Sequence, residues 1–248
     1  MKKFWYALFA ICLAVLIFCG GSFIYDYYQK NKGESIVTDY TNPPAATTSQ
    51  LRENPIDFAK LKKTNEDVFS WIRIENTNID YPILSPINKS DDYYLRRNIE
   101  KDYDRQGVIY IENCNNTDWS DPVTVVYGHN IWTMGTMFYE LHKFEDSEFF
   151  NENRYIEIFA EGRALKYEIY SAFEYDDRHI MNSFDFNDKK VFKDFIDYTL
   201  NPLSLNKNVR DTEVAADDKI IVLSTCIKNK ESMRYLVVGV LIEDEKTK

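Results

Sequence analysis

The chain has 248 residues, enough for one large domain or two small ones, and its 44% hydrophobic and 28% charged residues are the balance of a globular protein. Its formal net charge is −10; residues 1–25 carry only Lys2 and Lys3, which leaves −12 on the remainder. A body that acidic argues against nucleic acid or an anionic lipid surface as its partner.

From Phe4 to Tyr25 there is no Asp, Glu, Lys or Arg. As a helix this segment would be roughly 33 Å long, enough for a bilayer core of about 30 Å. Lys2 and Lys3 precede it and Asp26 follows, so the positive-inside rule predicts residues 1–3 in the cytoplasm and the rest of the chain outside the cell membrane. Trp5, Tyr6, Tyr25, Tyr27 and Tyr28 stand near the two interfaces, as aromatic belts do. The competing reading is a cleaved signal peptide, whose core would be shorter and end in small residues; Ile17-Phe18-Cys19-Gly20-Gly21 does not. The expectation is a transmembrane anchor over 4–25. Cys12 and Cys19 lie inside it, which leaves Cys114 and Cys226 for the exterior. Two unclustered cysteines make neither a disulfide framework nor a zinc site, although one Cys114–Cys226 bridge stays open.

Residues 26–54 are polar and include Asn42-Pro43-Pro44, which predicts a semi-extended stalk. The domain proper is expected over 55–248. Asn54-Pro55 reads as a cap and first helical position, with a short helix ending near Thr64. Val68 to Ile74 alternates and predicts a strand, Asn76-Thr77-Asn78 a turn, and Ile79 to Leu84 a second strand whose Pro82 points to a sheet edge or a break. Tyr93 to Leu95 predicts a helical turn. Gly107 to Glu112 and Val123 to Tyr127 predict strands, and Thr136 to Leu141 a short helix. Tyr155–Phe159 and Leu165–Phe173 alternate around a hairpin turn at Glu161-Gly162-Arg163. Asp188 caps a helix that runs to Leu200, with Val191, Phe192, Phe195 and Ile196 at helical spacing and Pro202 beyond its end. Ile220-Ile-Val-Leu-Ser-Thr-Cys226 and Arg234-Tyr-Leu-Val-Val close the chain as two strands across a polar link of hairpin length. About eight short strands with few helices predict a mainly β fold, a closed or partly closed antiparallel barrel with peripheral helices.

If the last two strands pair antiparallel, Cys226 ends one and Arg234 starts the other. Opposed side chains in such a pair sit about 4.5–5.5 Å apart at Cβ. A guanidinium beside a thiol favours the thiolate, which is the nucleophilic form. A small buried cysteine beside a surface arginine would look the same. Of three histidines, His142 follows Leu141 in a predicted helix and His179 follows Asp176-Asp177-Arg178 in a polar loop; both read as surface residues. His129 comes just after Gly128 at the end of a buried-looking strand. No histidine pair has metal spacing, so no metal or other cofactor is expected. Cys226, His129 and Arg234 at three strand ends form a complete set for acyl transfer: thiolate attack, proton transfer by imidazole, and a guanidinium for the developing oxyanion or the substrate backbone.

Val125-Val-Tyr-Gly-His129-Asn, Val222-Leu-Ser-Thr-Cys226 and Arg234-Tyr-Leu-Val-Val resemble the His, Thr-Leu-x-Thr-Cys and Arg motifs of sortases. Val222 stands where the family usually has Thr. Trp71-Ile-Arg-Ile-Glu-Asn-Thr-Asn-Ile-Asp-Tyr-Pro82 is similar to the family's early segment, and the resemblance spans roughly 55–243. The N-terminal helical segment and the 188–200 helix inserted between strands look like class B features. The resemblance implies an eight-stranded sortase-type β-barrel on a Gram-positive cell surface. It implies a membrane-anchored cysteine transpeptidase that cuts a secreted protein at a C-terminal sorting signal, typically N-P-x-T-x, after the Thr. The acyl group would be held on Cys226 and passed to an amine of a peptidoglycan precursor. By position His129 is the acid/base and Arg234 the oxyanion or substrate anchor. Leu95, Ser224 and Thr225 are candidate groove residues, although the last two could equally be packing. Pilin polymerisation or simple hydrolysis by the same residues, and an inactive surface adhesin on the same barrel, are the alternatives.

Overall fold

The computed structural model describes residues 6, 9, 11–25, 27, 28 and 51–248. The chain divides into two compact units, 1–39 and 40–248. In the first, the described residues are helical and nearly all exposed, and among the described residues no helix is long and apolar enough to cross a membrane. Part of the anchor expected over 4–25, and most of the stalk expected over 26–54, lie outside the described residues.

The second unit holds the strands β1 (Val68–Arg73), β2 (Asp80–Leu84), β3 (Ile109–Tyr110), β4 (Val123–Tyr127), β5 (Asn130–Ile131), β6 (Thr136–Met137), β7 (Tyr155–Ala160), β8 (Arg163–Asp176), β9 (Lys207–Val209), β10 (Ile220–Ile227) and β11 (Lys230–Lys246). The main sheet runs β11-β10-β4-β3-β2-β1-β7-β8, and β8 pairs back onto β11. That closure makes the expected eight-stranded barrel, with β9 added to the outside of β8 and β5–β6 as a separate hairpin. The barrel is not purely antiparallel, however. β2 pairs parallel with β3, and β4 parallel with β10. Parallel neighbours need long crossovers, and here residues 85–108 and 128–219 supply them.

Hydrophobic alternation sorts the strands into two cores. Ile72, Ile83, Ile109, Val126, Ile156, Leu165, Ile221 and Tyr235, one from each of the eight barrel strands, are buried together in the interior. Val125, Val222, Leu236 and Val238 face the other way and pack against Phe192, Phe195 and Ile196 of the helix Lys189–Leu200. The apolar positions of that helix recur at one face, and Asp188 caps it by accepting from the Lys190 and Val191 N–H groups. β10 is therefore buried on both faces for six residues and opens only at Cys226.

Several local expectations are corrected. The first helix runs Phe58–Thr64 and its cap is Asp57, which accepts from Lys60 N–H, whereas Asn54 Nδ2 reaches back to the Ala160 carbonyl at 2.7 Å. β2 is not an edge strand: it lies between β1 and β3. Pro82 is tolerated because β3 spans two residues and pairs only with Ile83 and Leu84. The strand expected from Gly107 shortens to β3 because Gly107 has φ 61 and the Val108 N–H goes to the Tyr94 carbonyl. The helix expected over Thr136–Leu141 begins only at Phe138 and is 3₁₀. Thr136 and Met137 complete a hairpin around Gly135 (φ 68), and a 3₁₀ run, Phe138–Glu145, follows. Its buried residues, Phe138, Leu141 and Phe144, recur every third position, which is the 3₁₀ period.

Candidate active site

The register of three adjacent strands builds the site. In the β10–β11 pair Cys226 stands directly opposite Arg234. In the parallel β4–β10 pair Ser224 stands beside Tyr127. The Gly128 N–H still reaches the Ser224 carbonyl, and His129 follows just past the end of β4. Side chains two apart on a strand share a face, so Val125 and Tyr127 lie on the face that carries Val222, Ser224 and Cys226. The helix Lys189–Leu200 covers the apolar part of this face. Beyond it the face opens into a cleft of roughly 240 Å³, lined by His129, Cys226 and Arg234 together with Leu95, Tyr110, Glu112, Tyr127, Ser224, Thr225 and the 175–180 turn.

His129 is tightly placed. Gly128 N–H donates to the Ser224 carbonyl at 3.2 Å, the Thr225 hydroxyl donates to the Gly128 carbonyl at 2.8 Å, and Phe138 N–H donates to the His129 carbonyl at 2.9 Å. A Cβ at residue 128 would lie 2.5 Å from Ile109 Cδ1 and 2.7 Å from the Phe138 ring, both buried, so only glycine fits before this histidine. The imidazole Nε2 lies 2.7 Å from the Leu95 carbonyl. With Nε2–H donated there, Nδ1 is the nitrogen left to take up a proton.

Burial lowers the proton affinity of His129; the Leu95 carbonyl opposes this and Arg96 adds to it. The folded-state value thus lies below the ordinary 6.5, and as pH falls the unfolded chain binds the proton first. This contribution to stability is intact above pH 6.5 and is lost as pH falls through the lowered folded value. Between about pH 7 and about pH 5 the thermal midpoint of the wild type is expected to fall more than that of His129→Gln. Parallel pH dependences of the two melts would contradict the assignment.

Arg234 Nη1 donates to the carbonyls of Glu231 and Met233, each at 2.9 Å, so its guanidinium is braced by its own hairpin. Cys226 and Cys114 are both exposed free thiols, which closes the question of a bridge. Cys114 lies among carboxylates. Burial, with Glu112 and Asp91 nearby, pushes it up to about 11.

All three expected groove residues, Leu95, Ser224 and Thr225, line the cleft. Thr225 is 2% exposed and its hydroxyl is committed to Gly128, which makes it a brace between β10 and the His129 turn. The other two histidines are not plain surface residues. His179 Nδ1 accepts from Asn182 N–H at 3.1 Å and its Nε2 lies 2.6 Å from Glu112 Oε2, across the cleft lip. Burial pushes the Glu112 carboxyl up, and His179 pulls it back. His142 Nε2 is 3.1 Å from the main-chain carbonyl of Cys226. The available signals were a carboxylate three residues on, at Glu145, and the three-residue apolar period around it.

A family model for the sortase domain matches residues 72–242. Sortase B of Listeria monocytogenes is 30% identical over 238 residues, 94% of each chain. Among solved structures, sortase B of Clostridium perfringens is 30% identical with a TM-score of 0.68, covering 75% of this chain and all of its own. Sortase B of Bacillus anthracis is 28% identical with a TM-score of 0.74, covering 89% of this chain and 99% of its own.

Proposed function

The chain belongs to the sortase family of cysteine transpeptidases, and from that premise we propose that it cuts a C-terminal sorting signal of N-P-x-T-x type after the Thr and transfers the protein to a peptidoglycan amine. The observation that carries this reading is Cys226 paired with Arg234 across β10 and β11, with His129 two residues past the end of β4, all three lining one open cleft. Cys226 Sγ attacks the Thr carbonyl. The Arg234 guanidinium balances the oxyanion of the tetrahedral intermediate, or holds the substrate backbone beside it. His129, having taken the Cys226 thiol proton on Nδ1, gives it to the leaving amine as the C–N bond breaks and a thioester forms. The acceptor amine then attacks the thioester, His129 takes its proton, and Cys226 is released.

The same reading places residues 4–25 as an uncleaved anchor with its N-terminus in the cytoplasm, 26–54 as a stalk, and 55–248 as the catalytic domain on a Gram-positive cell surface. Its supports are the absence of charge from Phe4 to Tyr25, the lysines before it and the aromatic residues at its ends. Leu95 and Ser224 are proposed to contact the sorting signal. The test is product analysis of an N-P-x-T-x peptide with and without an oligoglycine or diaminopimelyl amine. The expected result is peptide cut after Thr, with most product joined to the amine when it is present. Hydrolysed product alone under both conditions would overturn the transfer step and leave a peptidase.

A further inference from the structure

The β10 ladder breaks at Cys226. Its parallel pairing with β4 stops at Ser224, and its pairing with β11 shifts register between Cys226 and Ile227. A carbonyl at such a break loses its regular partner. Two side chains take the Cys226 carbonyl over. Asn130 Nδ2 donates to it at 2.9 Å, His142 Nε2 lies 3.1 Å from it, and the two nitrogens lie 3.1 Å from each other.

The His142 ring is itself clamped. Its Nδ1 is 2.5 Å from Glu145 Oε1, and its face stacks on Tyr235 with centroids 5.1 Å apart and planes at 28°. Residues three apart eclipse in a 3₁₀ helix, which is why Glu145 meets His142 on one side of Phe138–Glu145. A carboxylate on the far nitrogen orients an imidazole toward whatever its near nitrogen serves. Tyr235 adjoins Arg234 and pairs with Thr225, so the clamp is built on the strands that carry the site. Asn130 supplies an independent sign that this carbonyl is guarded. Its Oδ1 is buried with no partner, and turning the amide to relieve it would set an oxygen against the Cys226 carbonyl.

We propose that His142, held by Glu145, is a positioning residue for the nucleophile: with a proton on each ring nitrogen, Nδ1–H donates to the Glu145 carboxylate and Nε2–H to the Cys226 carbonyl, which fixes the direction of the sulfur. The inference rests on Cys226 being the nucleophile. His142 touches no reacting atom; it acts through the main chain of Cys226.

The test uses the full chain and two readouts: kcat and KM for an N-P-x-T-x peptide, and the rate at which a methanethiosulfonate reagent modifies Cys226. His142→Ala is expected to lower kcat about tenfold with KM unchanged within about twofold, and to slow modification several-fold. His142→Gln, which keeps a donor at similar reach, restores most of both, and Glu145→Ala gives an intermediate loss of about threefold. A folded His142→Ala protein with wild-type kcat and modification rate would overturn the proposal, as would a His142→Gln protein no better than His142→Ala. Should His142→Ala fail to fold, the exposed Glu145 decides: Glu145→Ala at the wild-type rate overturns the proposal, and a reduced rate alongside an active His142→Gln sustains it. Wild-type behaviour of all three beside an inactive Cys226→Ala defeats this inference alone, whereas an active Cys226→Ala defeats the reading it rests on.

Discussion

Cys226→Ala is expected to abolish both cleavage and transfer, a loss on the order of 10³-fold or more, because no other group can form the thioester. Cys226 is exposed at the open end of β10, so the change should leave stability within about 0.5 kcal/mol. Loss of activity in a variant that melts with the wild type separates chemistry from folding. Labelling provides a second arm. Cys114, raised to about 11 by burial and by Glu112 and Asp91, holds little thiolate near neutrality. A methanethiosulfonate should therefore modify Cys226 ahead of Cys114, and inactivation should follow the Cys226 peptide in time. Mass spectrometry finding Cys114 modified with Cys226 untouched in inactivated enzyme would sink the assignment.

What the sequence allowed to be read divides by the range of the interaction. Cys226 opposite Arg234 was legible because a hairpin fixes register locally: two apolar runs and a short polar link leave few ways to pair. The Asp188 cap and the helix to Leu200 were legible for the same reason, since both depend on neighbours within a turn or two. The place of His129 beside Cys226 depends on β4 pairing parallel with β10 across the 128–219 crossover, and alternation within either strand carries no trace of direction. Motif resemblance filled that gap where periodicity could not. His142 escaped because Glu145 and the three-residue apolar period mark only the 3₁₀ turn, while its partner is a main-chain carbonyl far along the chain. Pro82 misled because β2 looked like an edge; what mattered was that its neighbour β3 is too short to need the missing N–H.

The second large effect is expected at Arg234. Its Nη1 is spent on the Glu231 and Met233 carbonyls, which turns the fork of the guanidinium into a fixed support at the cleft, level with Cys226. A lysine has one ammonium on a flexible stem and cannot both hold those carbonyls and present a planar donor pair to a developing oxyanion. Arg234→Lys and Arg234→Ala should therefore each lower kcat/KM by about 10²–10³-fold, with little difference between them. The split of that loss decides the role. If Arg234 stabilises the oxyanion, kcat falls and KM holds; if it anchors the substrate main chain in ground and transition state alike, KM rises and kcat holds. An Arg234→Lys enzyme within about threefold of wild type would mean that charge alone suffices, and the braced geometry of the β10–β11 hairpin would then have no part in catalysis.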